Sequence, residues 1–254
     1  MSPPPGRPKA GSLPQGGPAR SAMGAPSSLC LFDLDETLLP LDSDHAWGEF
    51  VIRLGWVDEF EFRRRNDEFY AQYQAGVLDI HAYIAFATTP LRERDTATLA
   101  DAHARFMREV IAPRILPPAL ELVRMHQAQG DLVGLVTATN DFITAPIAAA
   151  FGIEHLIALR LERGPGGTIT GGISGVPSYR EGKVARVGEW LQALHLDCGD
   201  FDSISVYSDS VNDLPLLERA HHPVATNPSP ALEALARERR WRILRLFDDQ
   251  EVHR

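Results

Sequence analysis

The chain has 254 residues, 44% hydrophobic and 23% charged, a balance that supports one or two packed globular domains. Its formal charge of -9, with no Lys/Arg cluster to offset it, gives no electrostatic basis for binding nucleic acid. No apolar run approaches the roughly 18 residues a membrane-spanning helix needs, and the two cysteines, Cys30 and Cys198, match no metal or redox spacing, so reduced thiols in a cytoplasmic protein are expected.

Residues 1–28 are rich in Pro, Gly, Ser and Ala and hold no acid, the composition of a disordered tail; Met23 is an alternative start. From Ser28, the run Leu29-Cys30-Leu31-Phe32 ends in Asp33 and reads as a buried strand whose carboxyl end opens onto a site. Residues 43–113 then carry helical spacing: Trp47, Phe50, Val51 and Leu54, then Phe62, Phe69, Tyr70 and Tyr73, then Ile80, Tyr83, Ile84 and Phe86. Four or five helices are predicted there. Pro113, Pro117 and Pro118 punctuate the end of this block, and a helix from Ala119 to Gln129 closes at Gly130.

Beyond it, strands and helices alternate: strand 132–136, helix 141–151, strand 156–159, a Gly-rich hairpin over 160–174, helix 182–195, strand 203–207, helix 213–219, strand 223–225, helix 231–239 and strand 242–246. The expected fold is α/β, a doubly wound, Rossmann-like parallel sheet core over 29–42 and 114–254, interrupted by an all-helical cap at 43–113. No internal repeat is present, and nothing in the pattern specifies an oligomeric state.

Ligands of such sheets bind beyond the carboxyl ends of the strands. Polar residues in those places are Asp33 and Asp35 after the first strand, Thr137 after Leu132 to Val136, Lys183 at a helix start, and Asp209, Asn212 and Asp213 after Ser203 to Ser208. Asp33 and Asp35, two apart in an extended segment, are expected to share one small space, where a divalent cation would let both ionise. Asp209 adds a third carboxylate, and an all-oxygen set with water suits Mg²⁺. Lys183 and Thr137 offer a positive charge and a hydroxyl donor to phosphoryl oxygens. Asn212 and Asp213 are candidates to orient Lys183 or the metal's water. Taken singly, each of these residues is equally at home as a cap, a turn former or a solvated side chain.

Taken together they resemble the haloacid dehalogenase superfamily of phosphohydrolases. The resemblance rests on Asp33-Leu34-Asp35-Glu36-Thr37, on Thr137, on Lys183 and on Asp209-Ser210-Val211-Asn212-Asp213, in that order, and covers roughly residues 29–247. It implies that Asp33 attacks phosphorus, that Asp35 is the acid and then the base, and that Mg²⁺ is held by Asp33, the backbone carbonyl of Asp35, and Asp209. Dehalogenases of this superfamily lack the second aspartate, so Asp35 points to a small-molecule phosphate ester as substrate. A receiver-like signalling module also accepts phosphate on Asp, but it has no large insert after its first strand. A phosphotransferase would carry the same catalytic residues.

The insert and the last motif resemble the phosphoserine-phosphatase-like branch, in which a Glu downstream of the nucleophile binds the substrate ammonium; the corresponding residue is Asp42. Asp42, with Asp44, either pairs with a substrate amine or caps the helix containing Trp47, and both roles are compatible. The stretch Asp42 to Phe50, with Arg65 to Tyr70 and Thr137 to Asn140, is similar to the bacterial histidinol-phosphate phosphatases of that branch. Such a substrate calls for acids and aromatic walls, for which Trp47, Trp56, Phe60, Phe62, Phe69 and Tyr70 are candidates.

Overall fold

The computed structural model describes residues 26–247. Strand β1 (Ser28–Phe32) lies inside a six-stranded sheet of order β3-β2-β1-β6-β7-β8, every pair parallel, with β2 (Leu132–Asn140), β3 (His155–Leu159), β6 (Ser203–Ser208), β7 (His222–Thr226) and β8 (Arg242–Leu244). The alternation of β1 explains why it is apolar throughout. Leu29 and Leu31 enter a core on one face with Val187 and Leu191, while Cys30 and Phe32 enter a larger core on the other face with Leu135 and Val123. Helices α8 (Glu181–Ala193), α9 (Leu214–Leu217) and α10 (Pro230–Arg239) supply the first core; α6 (Pro117–Ala128) and α7 (Asp141–Ala150) supply the second. The chain runs outward from β1 through β2 to β3, then returns to β6 on the other side of β1. The crevice at that reversal opens at the carboxyl ends of β1, β2 and β6.

Between β1 and α6 stand five α-helices: α1 (Ser43–Arg53), α2 (Glu59–Gln74), α3 (Ile80–Ala87), α4 (Thr89–Arg92) and α5 (Thr96–Phe106), the last continued by single π and 3₁₀ turns to Arg114. Four of them begin on an aspartate. Asp42, Asp58, Asp79 and Asp95 each accept a hydrogen bond from a backbone N–H in the first turn, an arrangement that stabilises a helix by about 1 kcal/mol. The Gly-rich segment forms the hairpin β4 (Leu161–Arg163) and β5 (Ile169–Ile173), which packs on α3 and α4 rather than standing free beside the sheet.

Three expectations change. Ser27 belongs to the fold, because its carbonyl accepts from Asp202 N, and β1 already begins at Ser28; the rest of the expected tail, residues 1–25, and the chain end at 248–254 lie outside the described residues. Strand β2 continues past Val136 to Asn140, with an irregular register against β3 between those residues. The helix expected at 213–219 contracts to Leu214–Leu217, because Val211–Asp213 form a 3₁₀ turn and the Asp213 side chain is bonded inward.

Two glycines of α8 give a paired test. A Cβ on Gly182 would collide with the backbone carbonyl of Pro177, whereas one on Gly188 would meet nothing within 4 Å. Gly182→Ala is expected to destabilise by about 1–3 kcal/mol, and Gly188→Ala to stabilise by about 0.5–1 kcal/mol; chemical denaturation of both variants checks the opposite signs.

Candidate active site

Three carboxyl ends and one helix start meet in the crevice. Asp33 directly follows β1, and its N–H donates to Tyr207 O at 2.9 Å, which fixes it beside β6. Lys183, in the first turn of α8 and 1% exposed, donates from Nζ to Asp33 Oδ1 and to Asp213 Oδ2, both at 2.7 Å. Ser208, the last residue of β6, donates to the same Asp213 oxygen at 2.8 Å. Thr37 ties the remaining acid in: its Oγ1 accepts from Asp209 N at 3.0 Å and lies 3.2 Å from Asp209 Oδ1 and 3.4 Å from Asp33 Oδ2. Asp33, Lys183, Asp209 and Asp213 are thus brought together.

Asp35 faces elsewhere. Its carboxylate accepts from Ser43 N and from Thr139 Oγ1, both at 2.7 Å, and shares no partner with Asp33. Strand β1 stops at Phe32, before the expected extended segment ends, yet the two acids stay near enough for the Asp35 charge to help raise Asp33. Thr137 is buried, and its Oγ1 accepts from Thr139 N at 3.1 Å; no hydrogen bond joins it to Asp33. Asn212 turns from the acid cluster toward the cap and donates from Nδ2 to Tyr73 O at 3.0 Å.

Asp35 also lines a pocket between cap and sheet, walled by Asp42, Asp44, His45, Asn66, Phe69, Tyr70, Tyr73, Tyr83 and Thr139. No Lys or Arg lines it. Asp42 performs its capping role, accepting from His45 N at 2.8 Å, while remaining in the pocket wall. Trp47 is a correction: it is 2% exposed and packs among Phe50, His103, Phe106 and Phe142, not in the pocket. Two residues from His45, it points to the other side of α1, and its ring enters the core with Phe106 and Phe142. Tyr73, Tyr83 and Thr139 were legible only as packing or neighbouring residues, and Ser208 carried no signal beyond ending an apolar strand.

The family model of the haloacid dehalogenase-like hydrolases matches residues 30–218, all four clusters included. The chain belongs to this family. A curated relative from Neisseria meningitidis serogroup C, named histidinol-phosphatase, is 42% identical over 85% of this chain and 98% of its own length. Another, phosphoserine phosphatase SerB1 of Mycobacterium tuberculosis, is 30% identical over 85% of this chain and 70% of its own length. Among solved structures, a Bordetella pertussis Tohama I protein of unknown function is similar at TM-score 0.83 and 49% identity, covering 88% of this chain and all of that one. A substrate-bound phosphoserine phosphatase shares the fold at TM-score 0.60 and 16% identity, over 87% of this chain and 93% of its own.

Electrostatics divides the site of this hydrolase in two. Burial pulls the Lys183 ammonium down, but the charges of Asp213 and Asp33 outweigh it and hold it above its ordinary value. Burial lifts Asp33 to about 7 against the pull of Lys183. Asp209 is pushed well above the ordinary carboxylate range by burial and then by the charge of Asp33. Two buried carboxylates that resist ionising side by side are the condition a divalent cation relieves, and their hard oxygens suit Mg²⁺. Among the described residues no three Asp, Glu, His or Cys side chains gather to hold a metal. Asp33 and Asp209 are therefore the side-chain donors that fit, with main-chain oxygen and water to complete the shell. In the pocket, burial raises Asp35, Asp42 and Asp44 each to about 7, with the charges of neighbouring acids adding to it.

A group raised in the folded state stabilises the fold below its unfolded value and loses that contribution as pH climbs through its folded value. For Asp33, Asp35, Asp42 and Asp44 this window runs from 3.8 to about 7. In chelator, the thermal midpoint is expected to fall between pH 5 and pH 8, and Mg²⁺ should narrow the fall. A metal-free midpoint that rises over that range would contradict the burial of these acids.

Proposed function

We propose that this hydrolase is a Mg²⁺-dependent phosphomonoesterase whose substrate is histidinol phosphate, acting in histidine biosynthesis in the cytoplasm. The observation that carries the substrate is the pocket beside Asp35: three acids, a histidine, four aromatic rings and no cation. A carboxylate-bearing substrate such as phosphoserine would find nothing positive there to pair with, whereas an ammonium and an imidazole would meet Asp42, Asp44 and the rings. The 42% identical histidinol-phosphatase supports the same reading. Two free cysteines, and no helix among the described residues long and apolar enough to cross a membrane, are compatible with the compartment.

In this mechanism an Asp33 carboxylate oxygen attacks phosphorus as the ester P–O bond breaks. Asp35, held by Ser43 N and Thr139, gives its proton to the departing alkoxide oxygen. It then takes a proton from water as that water's oxygen attacks the phosphorus of the aspartyl-phosphate, releasing inorganic phosphate and the Asp33 carboxylate. A value near 7 lets Asp35 serve both steps at neutral pH. Lys183 neutralises phosphoryl oxygens while Asp213 and Ser208 hold it in place, and the Thr137 hydroxyl is free to donate to them. Bound at Asp33 and Asp209, Mg²⁺ would supply positive charge that keeps Asp33 ionised and offsets the dianion.

Phosphate release measured across metabolite phosphates tests the assignment. Asp33→Asn should lower turnover by about a thousandfold or more. Asn remains a good helix cap, so Asp42→Asn isolates the charge and should raise KM for histidinol phosphate about tenfold with little change in kcat. Equal kcat/KM for histidinol phosphate and phosphoserine would remove the substrate assignment.

A further inference from the structure

The acid cluster is almost closed to solvent, with Asp33 and Asp209 each 6% exposed and Lys183 1%. The cap covers the crevice, and one seam between cap and core is the C-terminal end of α2. This helix ends in a Schellman turn: Val77 N donates to Gln72 O and Gly76 N to Tyr73 O, both at 3.0 Å, with Gly76 at φ 69°. The turn leaves the Gly76 carbonyl and the second lone pair of the Tyr73 carbonyl unfilled, at the negative end of a helix with no basic residue in its last turn. The core fills both. Arg180 Nη1 donates to Gly76 O at 2.8 Å and Asn212 Nδ2 to Tyr73 O at 3.0 Å, while the Tyr179 ring lies 6.1 Å from that of Tyr73.

These donors sit on the segments that present the buried charges. Lys183 N donates to Arg180 O at 3.0 Å, so the two residues share one turn, and Asn212 immediately precedes Asp213. Arg180 has φ 52° and ψ -123°, a conformation that side chains with a Cβ rarely adopt, so its surroundings hold it there. The same residue thus grips α2 with its side chain and starts the turn of Lys183 with its strained backbone.

We propose that Arg180 and Asn212 are positioning residues that close α2 onto the core and couple cap closure to the placement of Lys183 and Asp213. This coupling deepens the phosphatase assignment and depends on it only for its kinetic consequence. The test uses the full chain with Arg180→Ala and the conservative Arg180→Lys, read by amide exchange without substrate and by steady-state kinetics on histidinol phosphate. Arg180→Ala should speed exchange across residues 74–78 and 179–184 by about fivefold, the scale of one lost hydrogen bond, without changing the global unfolding midpoint. It should lower kcat/KM by a similar factor, mainly through KM, and Arg180→Lys should recover part of both effects. Unchanged exchange in both segments would overturn the closure role whatever the substrate. Faster exchange with an unaltered kcat/KM would overturn the coupling. If the wild type released no phosphate from any ester, the phosphatase reading would fall and the exchange comparison would still decide the closure role.

Discussion

A single ammonium, that of Lys183, lies out of water between the carboxylates of Asp33 and Asp213. Removing three charges from solvent is costly, and the arrangement survives because each oxygen that Lys183 meets is within hydrogen-bond distance and Ser208 satisfies Asp213 further. Breaking such a set by deleting one member costs about 3–5 kcal/mol, because the others stay behind uncompensated. The topology follows from this requirement. Asp33 comes from the strand at the chain's reversal point, Asp213 from the turn after the neighbouring strand, and Lys183 from the helix that crosses between the two halves of the sheet.

Around that contact the charge separates. The centre joins fixed positive charge to acids suited to a cation, while the adjoining pocket has acids and rings but no Lys or Arg. Asp35 stands at the border, bonded to the first residue of α1 and to Thr139 of β2. Under the proposed function, that position would let it exchange protons with the oxygen that joins the phosphoryl group to the organic group.

Most of the scaffold was legible because its signals are local. The apolar run of β1, the helical spacing of the cap and the prolines at the start of α6 act within a few residues of themselves. The order of motifs placed Asp33, Lys183, Asp209 and Asp213 in one crevice, since a doubly wound sheet brings strand ends together. What stayed hidden depends on orientation. Trp47 and Tyr73 both recur at helical spacing, yet one faces a core and the other a pocket, and only the docking of α1 and α2 decides which. Asp35 is hidden for a related reason: regular strand pairing stops at Phe32, so alternation does not fix which groups its carboxylate bonds. The roles of Arg180 and Asn212 lie in contacts across more than 100 residues, which no local pattern records.

Strand β2 pairs with β3 at Val136 and again at Asn140, with Ile157 and Leu159 as the partners, so β2 spends two more residues than β3 over the same span. The surplus falls on Thr137 to Thr139, of which Ala138 and Thr139 line the pocket and Thr139 also bonds Asp35. A bulge of this kind frees side chains from the regular pleat and stands next to functional sites in many sheets. Its evolutionary consequence is a decoupling of recognition from architecture. Under the proposed function, Ala138 is the residue of that stretch that could change with the leaving group while the ladder on either side kept its register.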